Sequence, residues 1–405
     1  MTSQHLSPDD LAADDIVVLS IARTPLGGFQ GDLQAATAPE LGAAAIHAAQ
    51  TRAGLNADQI DEVIMGCVLQ AGLGQGPARQ AALQAGLAMH THCATVNKLC
   101  GSGMKAVMLA YDALKAGSCR IAIAGGMESM SNAPYLSTSA RHGIRMGHDA
   151  LKDHMFLDGL EDAQTGRLMG SFAQDTADEA KLTREEMDAF AISSLTRAQT
   201  AIENGWFTPE ITPITLKTRR GEHTVAIDEQ PGKARFEKIP TLKPVFAKTG
   251  TITAANSSSI SDGAAALVLT SARHAQFLQR TPLAVLRAHA SHSQAPHAFT
   301  TAPIGAIERV LHQTGWTTSD VDLYEINEAF AMVAMLPIQR LHLDPETVNV
   351  FGGACALGHP IGATGARLIV TLINALQQKN TTRGLAALCI GGGEATAITL
   401  ERLIT

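Results

Sequence analysis

A duplicated α/β fold is what this sequence predicts: two similar halves of buried, mostly parallel strands alternating with helices, with a long insertion between them. Three observations carry that expectation. Gly54-Leu55 and Ile60–Gly66 recur as Gly315-Trp316 and Val321–Asn327, at a constant offset of 261 residues. Short apolar strands alternate with helical stretches in both copies, which is the pattern of sheets covered on both faces. Hydrophobic residues make up 45% of the 405 positions and aromatics only 4%, alongside 36 glycines. Such a core is built from Ala, Val, Ile and Leu packed closely through small residues.

The elements follow in order. Pro39–Arg52 and Pro303–Gln313 are Ala-rich helical stretches with proline in the permitted first turn. Each leads into a repeated strand, Ile60–Gly66 or Val321–Asn327. Val96-Asn97 with the helix start Ser102-Gly103 matches Val348-Asn349 with Thr364-Gly365, and a helix-compatible run extends from Met104 to Lys115. The next strands are expected to end in Ala124-Gly125-Gly126 and Ile390-Gly391-Gly392. From Met130 to Ser257 the texture changes, and charge, His and Met rise. Thr183-Arg184-Glu185-Glu186 is a capping box opening a helix through Phe190, Ile192 and Leu195. Lys217–Arg220 and Lys233–Arg235 are basic stretches in the same insertion, which reads as a lid or binding domain. The expected division is 1–129 plus 258–282 for the first half, 130–257 for the insertion, and 283–405 for the second half.

The totals exclude several classes. A formal net charge of −7 argues against general attraction to nucleic acid or an anionic membrane, so an anionic ligand needs a local basic patch. Six scattered cysteines lack the spacing of a disulfide scaffold, Met1–Asp15 is polar and acidic, and no apolar run reaches spanning length. A soluble cytoplasmic protein with reduced thiols is expected.

The chemistry begins at Cys100, in Val96-Asn97-Lys98-Leu99-Cys100-Gly101-Ser102-Gly103. A strand, a sharp turn and a helix start place a thiol beside helix N-terminal amides, which favour the thiolate over the ordinary thiol pKa of about 8.5. Gly101 and Gly103 leave room for an acyl group, and acyl transfer is the reaction such a nucleophile serves. Asn327-Glu328-Ala329-Phe330 puts a carboxamide at a strand end. Gly352–Gly362 is a glycine-rich turn carrying His359, and Cys389-Ile390-Gly391-Gly392-Gly393 adds a second thiol. Two thiols, one imidazole and one carboxamide on equivalent loops of a duplicated fold argue for one shared site. Gly101–Ala106 also fits a G-x-G-x-x-A dinucleotide pattern, with Glu128 as its ribose-binding acid, but that reading leaves Cys389, His359 and Asn327 unemployed. A metal site from His90, His92, Cys93 and Cys100 matches no standard zinc spacing.

With those motifs in hand, the sequence closely resembles the thiolase family, and within it the acetyl-CoA C-acetyltransferase class. Cys100-Gly101-Ser102-Gly103, Asn327-Glu328-Ala329-Phe330, Gly358-His359-Pro360 and Cys389-Ile390-Gly391 stand in the family's order. The resemblance runs from Arg23-Thr24-Pro25 to the Cys389–Gly393 loop. It implies duplicated βαβαβαββ halves in a five-layer α-β-α-β-α core with an inserted loop domain. It also implies reversible condensation of two acetyl-CoA to acetoacetyl-CoA and CoA, through an S-acetyl cysteine.

On that resemblance Cys100 is the nucleophile, His359 its proton acceptor, and Cys389 the base that deprotonates the second acetyl group. His359 and a water positioned by Asn327 stabilise the enolate, while the Cys100 and Gly391 N–H groups bind the tetrahedral oxyanion. Ser258, Phe246 and Phe330 would contact pantetheine, Met169 would border the acyl pocket, and Lys233 would meet the nucleotide phosphates. No cofactor or metal is implied, since coenzyme A belongs to the substrate, and a homotetramer built as a dimer of dimers is expected. Three positions depart from the family's habit: Leu168 where His is common, Phe299 where Met is common, and Phe351 where Asn is common. A stiffer ring at the pocket wall would reshape the acyl room. The alternative within the class is a degradative 3-ketoacyl-CoA thiolase acting on longer chains.

Overall fold

The computed structural model describes residues 6–218 and 221–404. The first half contains strands β1 (Ile16–Arg23), β2 (Glu62–Gly66), β3 (His92–Val96) and β4 (Ile121–Ser129), with helices α1 (Ala38–Arg52), α2 (Pro77–Gln84) and α3 (Ser102–Lys115). The insertion carries α4 (Met169–Glu179) and α5 (Arg184–Glu203), after which β5 (Ser261–Ser271) returns to the first half. The second half has β6 (Ala284–Ser293), α6 (Ala302–Thr314), β7 (Leu323–Ile326), α7 (Ala331–Arg340), α8 (Thr364–Lys379), β8 (Arg383–Ile390) and β9 (Glu394–Arg402).

The strands form one ladder in the order β7-β8-β9-β6-β1-β5-β4-β2-β3, and β1 against β6 joins the halves, with Ile16 opposite Leu286. Helices α3 and α8 pack on each other between the two halves of the sheet, α1 and α2 cover one outer face, and α6 covers the other, with α7 packed beside it. The layers are therefore helix, sheet, helix, sheet, helix. Helix α8 is buried from Thr364 through Leu376, as its place between two sheets requires.

Local chemistry explains the starts and stops. Thr37 and Glu40 cap α1 reciprocally, as Thr183 and Glu186 cap α5. Helix α6 ends on Gly315 at φ 68°. Arg23, fully buried, welds the insertion to the first half by binding Asp228 at 2.7 and 2.8 Å and pairing with Glu210.

Three expectations need correction. Among the described residues the strand pairing is mostly antiparallel, because β5, β6 and β9 each return beside a neighbour; of these strands only β2–β3, β2–β4 and β7–β8 run parallel. The third strand of the second half shrinks to a single bridge between Tyr324 and Val348. The Gly-Gly pairs are not equivalent: Gly125 and Gly126 lie inside β4, which runs on to Ser129, whereas Gly391 and Gly392 lie beyond the end of β8. A Cβ on Gly126 would sit 2.1 Å from the Gly362 carbonyl oxygen, so this glycine serves a close approach between halves.

Candidate active site

Cys100 stands at the entry to α3 on a turn held from several sides. Leu99 adopts φ 47°, a left-handed conformation uncommon outside glycine. The Leu99 N–H donates to Asn97 Oδ1 at 2.9 Å, and the Ser102 hydroxyl donates to Leu99 O at 2.6 Å while accepting from the Lys98 N–H at 2.8 Å. Gly101 has no side chain because Ile390, from the opposite half, fills that space; a Cβ there would lie 2.3 Å from Ile390 Cδ1. The expected pull toward thiolate does not prevail. Burial pushes the Cys100 thiol up to about 11, and hydrogen bonds from the Gly391 and Cys100 backbone N–H groups only partly offset it. At neutral pH this sulfur keeps its proton and needs a base.

His359 offers an imidazole nitrogen able to accept a proton. It follows Gly358, which takes φ 102°, and its ring is buried. Nδ1 lies 2.6 Å from Thr364 Oγ1, and the single Thr364 hydroxyl proton goes to Pro360 O at 2.9 Å. Nδ1 therefore carries the ring hydrogen, and Nε2 presents a lone pair with no protein partner. Burial, assisted by the nearby Arg367 cation, lowers the imidazole to about 3. Asn327 caps the end of β7, its N–H bonded to Ala387 O at 3.0 Å, and both side-chain amide atoms are buried without a protein partner. Cys389, next to last in β8, is fully buried; burial raises its thiol well above the ordinary range, and charge on Cys100 raises it further. The two sulfurs, one from each half, thus lie within electrostatic reach of each other.

Cys389 shares an apolar cluster with Phe172, Phe299 and Phe330, against which Met169 and Phe246 pack. Phe246 and Phe330 meet edge to face with ring centroids 6.1 Å apart, and Phe246 closes over Gly170. The Ser258 N–H and hydroxyl both donate to Ala329 O at 3.0 Å, tying the serine to the chain just after Asn327. Phe351 lies elsewhere, buried against Trp206 and Phe207 rather than among these rings. Lys233 pairs with Glu229 and lines a groove of about 400 Å³ with Arg235, Lys238, Ser259 and Cys355. Neither Arg235 nor Lys238 forms an ion pair among the described residues, so they are the freer cations of that groove. Lys217 sits on the hairpin Ile214–Thr218/Gly221–Val225, and Arg219 and Arg220 fall outside the described residues.

Sequence reasoning missed the buried carboxylates behind the site. Glu128 accepts N–H groups from Val68 at 3.0 Å, Leu69 at 3.1 Å and Gly362 at 2.9 Å, joining loops of both halves. That role leaves it no ribose to bind. Glu328 accepts from Ser194 Oγ at 2.7 Å, Asn349 Nδ2 at 2.8 Å and the Cys355 N–H at 3.0 Å, fixing the glycine-rich turn before His359. Only their place beside Gly-Gly and Asn327 hinted at this. No group of three potential metal ligands assembles among the described residues, and His90 bonds Asp58 O while Cys93 packs by Arg79.

A duplicated α/β fold with thiols of its two halves in electrostatic reach of each other, and with a buried imidazole nitrogen and carboxamide lacking protein partners, is a setting for thiol-based acyl transfer. Residues 16–273 match the thiolase N-terminal domain and residues 280–402 the thiolase C-terminal domain, and the chain belongs to the thiolase family. It is 46% identical over 399 residues to acetyl-CoA acetyltransferase 1 of Arabidopsis thaliana, covering 98% of this chain and 96% of that protein. It is 47% identical over 389 residues to the acetyl-CoA acetyltransferase of Escherichia coli, covering 96% and 99%. The Acat5 thiolase of Ascaris suum, solved in complex with coenzyme A, superposes with a TM-score of 0.91 at 41% identity, covering 96% of this chain and all of that one.

Proposed function

We infer that this chain is an acetyl-CoA acetyltransferase, joining two acetyl-CoA into acetoacetyl-CoA and free CoA and running the same route backwards in thiolysis. The near full-length identity to acetyltransferases supports the activity. The observation that carries the chemistry is a buried, unprotonated His359 Nε2 left without a protein partner, in a chain whose Cys100 keeps its proton at neutral pH. Cys100 gives its proton to His359 as sulfur attacks the thioester carbonyl, and CoA leaves with the proton of Cys389, which becomes the thiolate while His359 keeps its new proton on Nε2. The Gly391 and Cys100 N–H groups, already directed at that sulfur, hold the oxyanion. Cys389, as thiolate, then takes a proton from the methyl carbon of the second acetyl-CoA. His359 Nε2–H and a water held by Asn327 stabilise the enolate oxygen, and the enolate carbon attacks the acetyl carbonyl on Cys100, whose C–S bond breaks as the sulfur recovers its proton from His359.

Pantetheine is assigned to the channel of Phe246, Phe330 and Ser258, and the acyl group to the pocket beside Met169 and Phe299. The CoA phosphates belong with Arg235 and Lys238, and with Lys233 if Glu229 releases it. The insertion 130–257 would then be the coenzyme-binding unit. A homotetramer suits the segment of the insertion whose Ile144, Met146 and Leu151 are exposed. A cytoplasmic, reducing setting suits six unbridged cysteines; no described helix is long and apolar enough to cross a membrane.

Intact mass after acetyl-CoA tests the reading. One added acetyl group is expected on the wild type and none on Cys100→Ala. A persistent adduct in the variant overturns the assignment of the nucleophile, and a clear preference for thiolysis of long-chain 3-ketoacyl-CoA over acetoacetyl-CoA overturns the substrate.

A further inference from the structure

The two oxyanion donors assigned above, the Cys100 and Gly391 N–H groups, come from opposite halves of the molecule. Their separation is set by whatever fastens the Cys100 turn to the Cys389–Gly393 loop. One side-chain bond between polar groups does this directly: Lys98 Nζ binds Glu394 Oε2 at 2.6 Å. Lys98 lies two residues before Cys100 and Glu394 three after Gly391. Each end is itself anchored. The Lys98 N–H donates to Ser102 Oγ at 2.8 Å, and Glu394 Oε1 accepts from Ser293 Oγ at 3.0 Å. Between them Gly392 and Gly393 take φ 85° and 89°, a left-handed turn whose Gly393 carbonyl accepts from the Gln294 N–H at 2.8 Å.

We propose that the Lys98–Glu394 pair is a clasp that positions Gly391 over Cys100, and that both side chains are positioning residues for acylation. The inference rests on the assignment of Cys100 as the acylated sulfur. Neither side chain is deeply buried, at 21% and 34% exposed, so the pair adds little to global stability and its removal leaves the fold intact. A misplacement of well under 1 Å at the oxyanion hole is enough to cost catalysis.

The test measures the rate of Cys100 acetylation by acetyl-CoA for wild type, Lys98→Met, Glu394→Gln and the double variant. Each single variant should acylate about tenfold more slowly, with KM for acetyl-CoA within about twofold of wild type and unchanged melting. The double variant should be no slower than either single, because both break one contact. The exchange variant, Lys98→Glu with Glu394→Lys, should recover most of the rate. Singles within twofold of wild type, or a double whose loss is the product of the singles, overturns the clasp. Absence of acetylation in the wild type instead overturns the assignment on which it rests.

Discussion

Acidifying the medium should leave the acylation of Cys100 untouched over a range where an ordinary histidine would switch it off. The imidazole of His359 is lowered from 6.5 to about 3 by burial and the Arg367 charge. Protonating it in place therefore costs about 5 kcal/mol more than protonating a free imidazole. At pH 5.5 an ordinary histidine is about 90% protonated, whereas this one is protonated at the level of about 0.3%. The Cys100 thiol, held near 11, stays protonated through neutral pH. The reactive pair, thiol plus neutral imidazole, thus persists between these two values, and proton transfer within the pair changes no net proton count. The single-turnover rate of Cys100 acetylation, followed by quenching and intact mass, should be flat within about twofold from pH 5.5 to 9.5. An acidic limb centred near 6.5 in that step would refute the reasoning, because it would mean that His359 titrates as though solvated. Linkage gives the shift a second reading. As pH falls from about 6.5 toward 3, the unfolded chain takes up a proton that the folded chain refuses, so stability declines over that window. His359→Gln should lose that part of the slope.

Asn327→Ala should spare acetylation of Cys100 yet lower kcat for condensation by a factor of 10² to 10³, the usual scale of about 2.7–4 kcal/mol for one oxyanion donor; equal loss in both half-reactions would contradict the assignment. Arg23→Ala should destabilise the fold by about 3–5 kcal/mol in chemical denaturation, since it leaves Asp228 and Glu210 buried without their cation; a shift under about 1 kcal/mol would show that the triad does not weld the insertion. The pair Arg235→Ala and Lys238→Ala should raise KM for acetyl-CoA by about tenfold while leaving an S-acetyl-pantetheine substrate, which lacks the phosphates, unaffected. An equal effect on both substrates would remove the groove from coenzyme binding.

Much of this molecule is legible in its sequence. The 261-residue repeat correctly pairs the strand Glu62–Gly66 with Leu323–Ile326, because both copies must bury the same apolar run against the same kind of helix. Thr183 with Glu186, and proline in the first turn of α1 and α6, announce helix starts through contacts no more than three residues long. Cys100, His359, Asn327 and Cys389 stand out jointly, as two thiols, one imidazole and one carboxamide on equivalent loops of a duplicated fold.

What escaped the sequence depends on partners distant along the chain. The direction of strand pairing followed from where β5, β6 and β9 return, which no local run encodes. Gly125-Gly126 and Gly391-Gly392 look alike as letters, yet one admits a neighbouring carbonyl and the other makes a turn. The helix start at Cys100 suggested a thiolate, but desolvation by the opposite half outweighs the amides, and only packing reveals which prevails. Residue types and short-range spacing thus determined which groups react and where helices begin. Tertiary structure alone decided how burial shifts Cys100, His359 and Cys389, because electrostatics and burial are sums over neighbours that the chain order does not list.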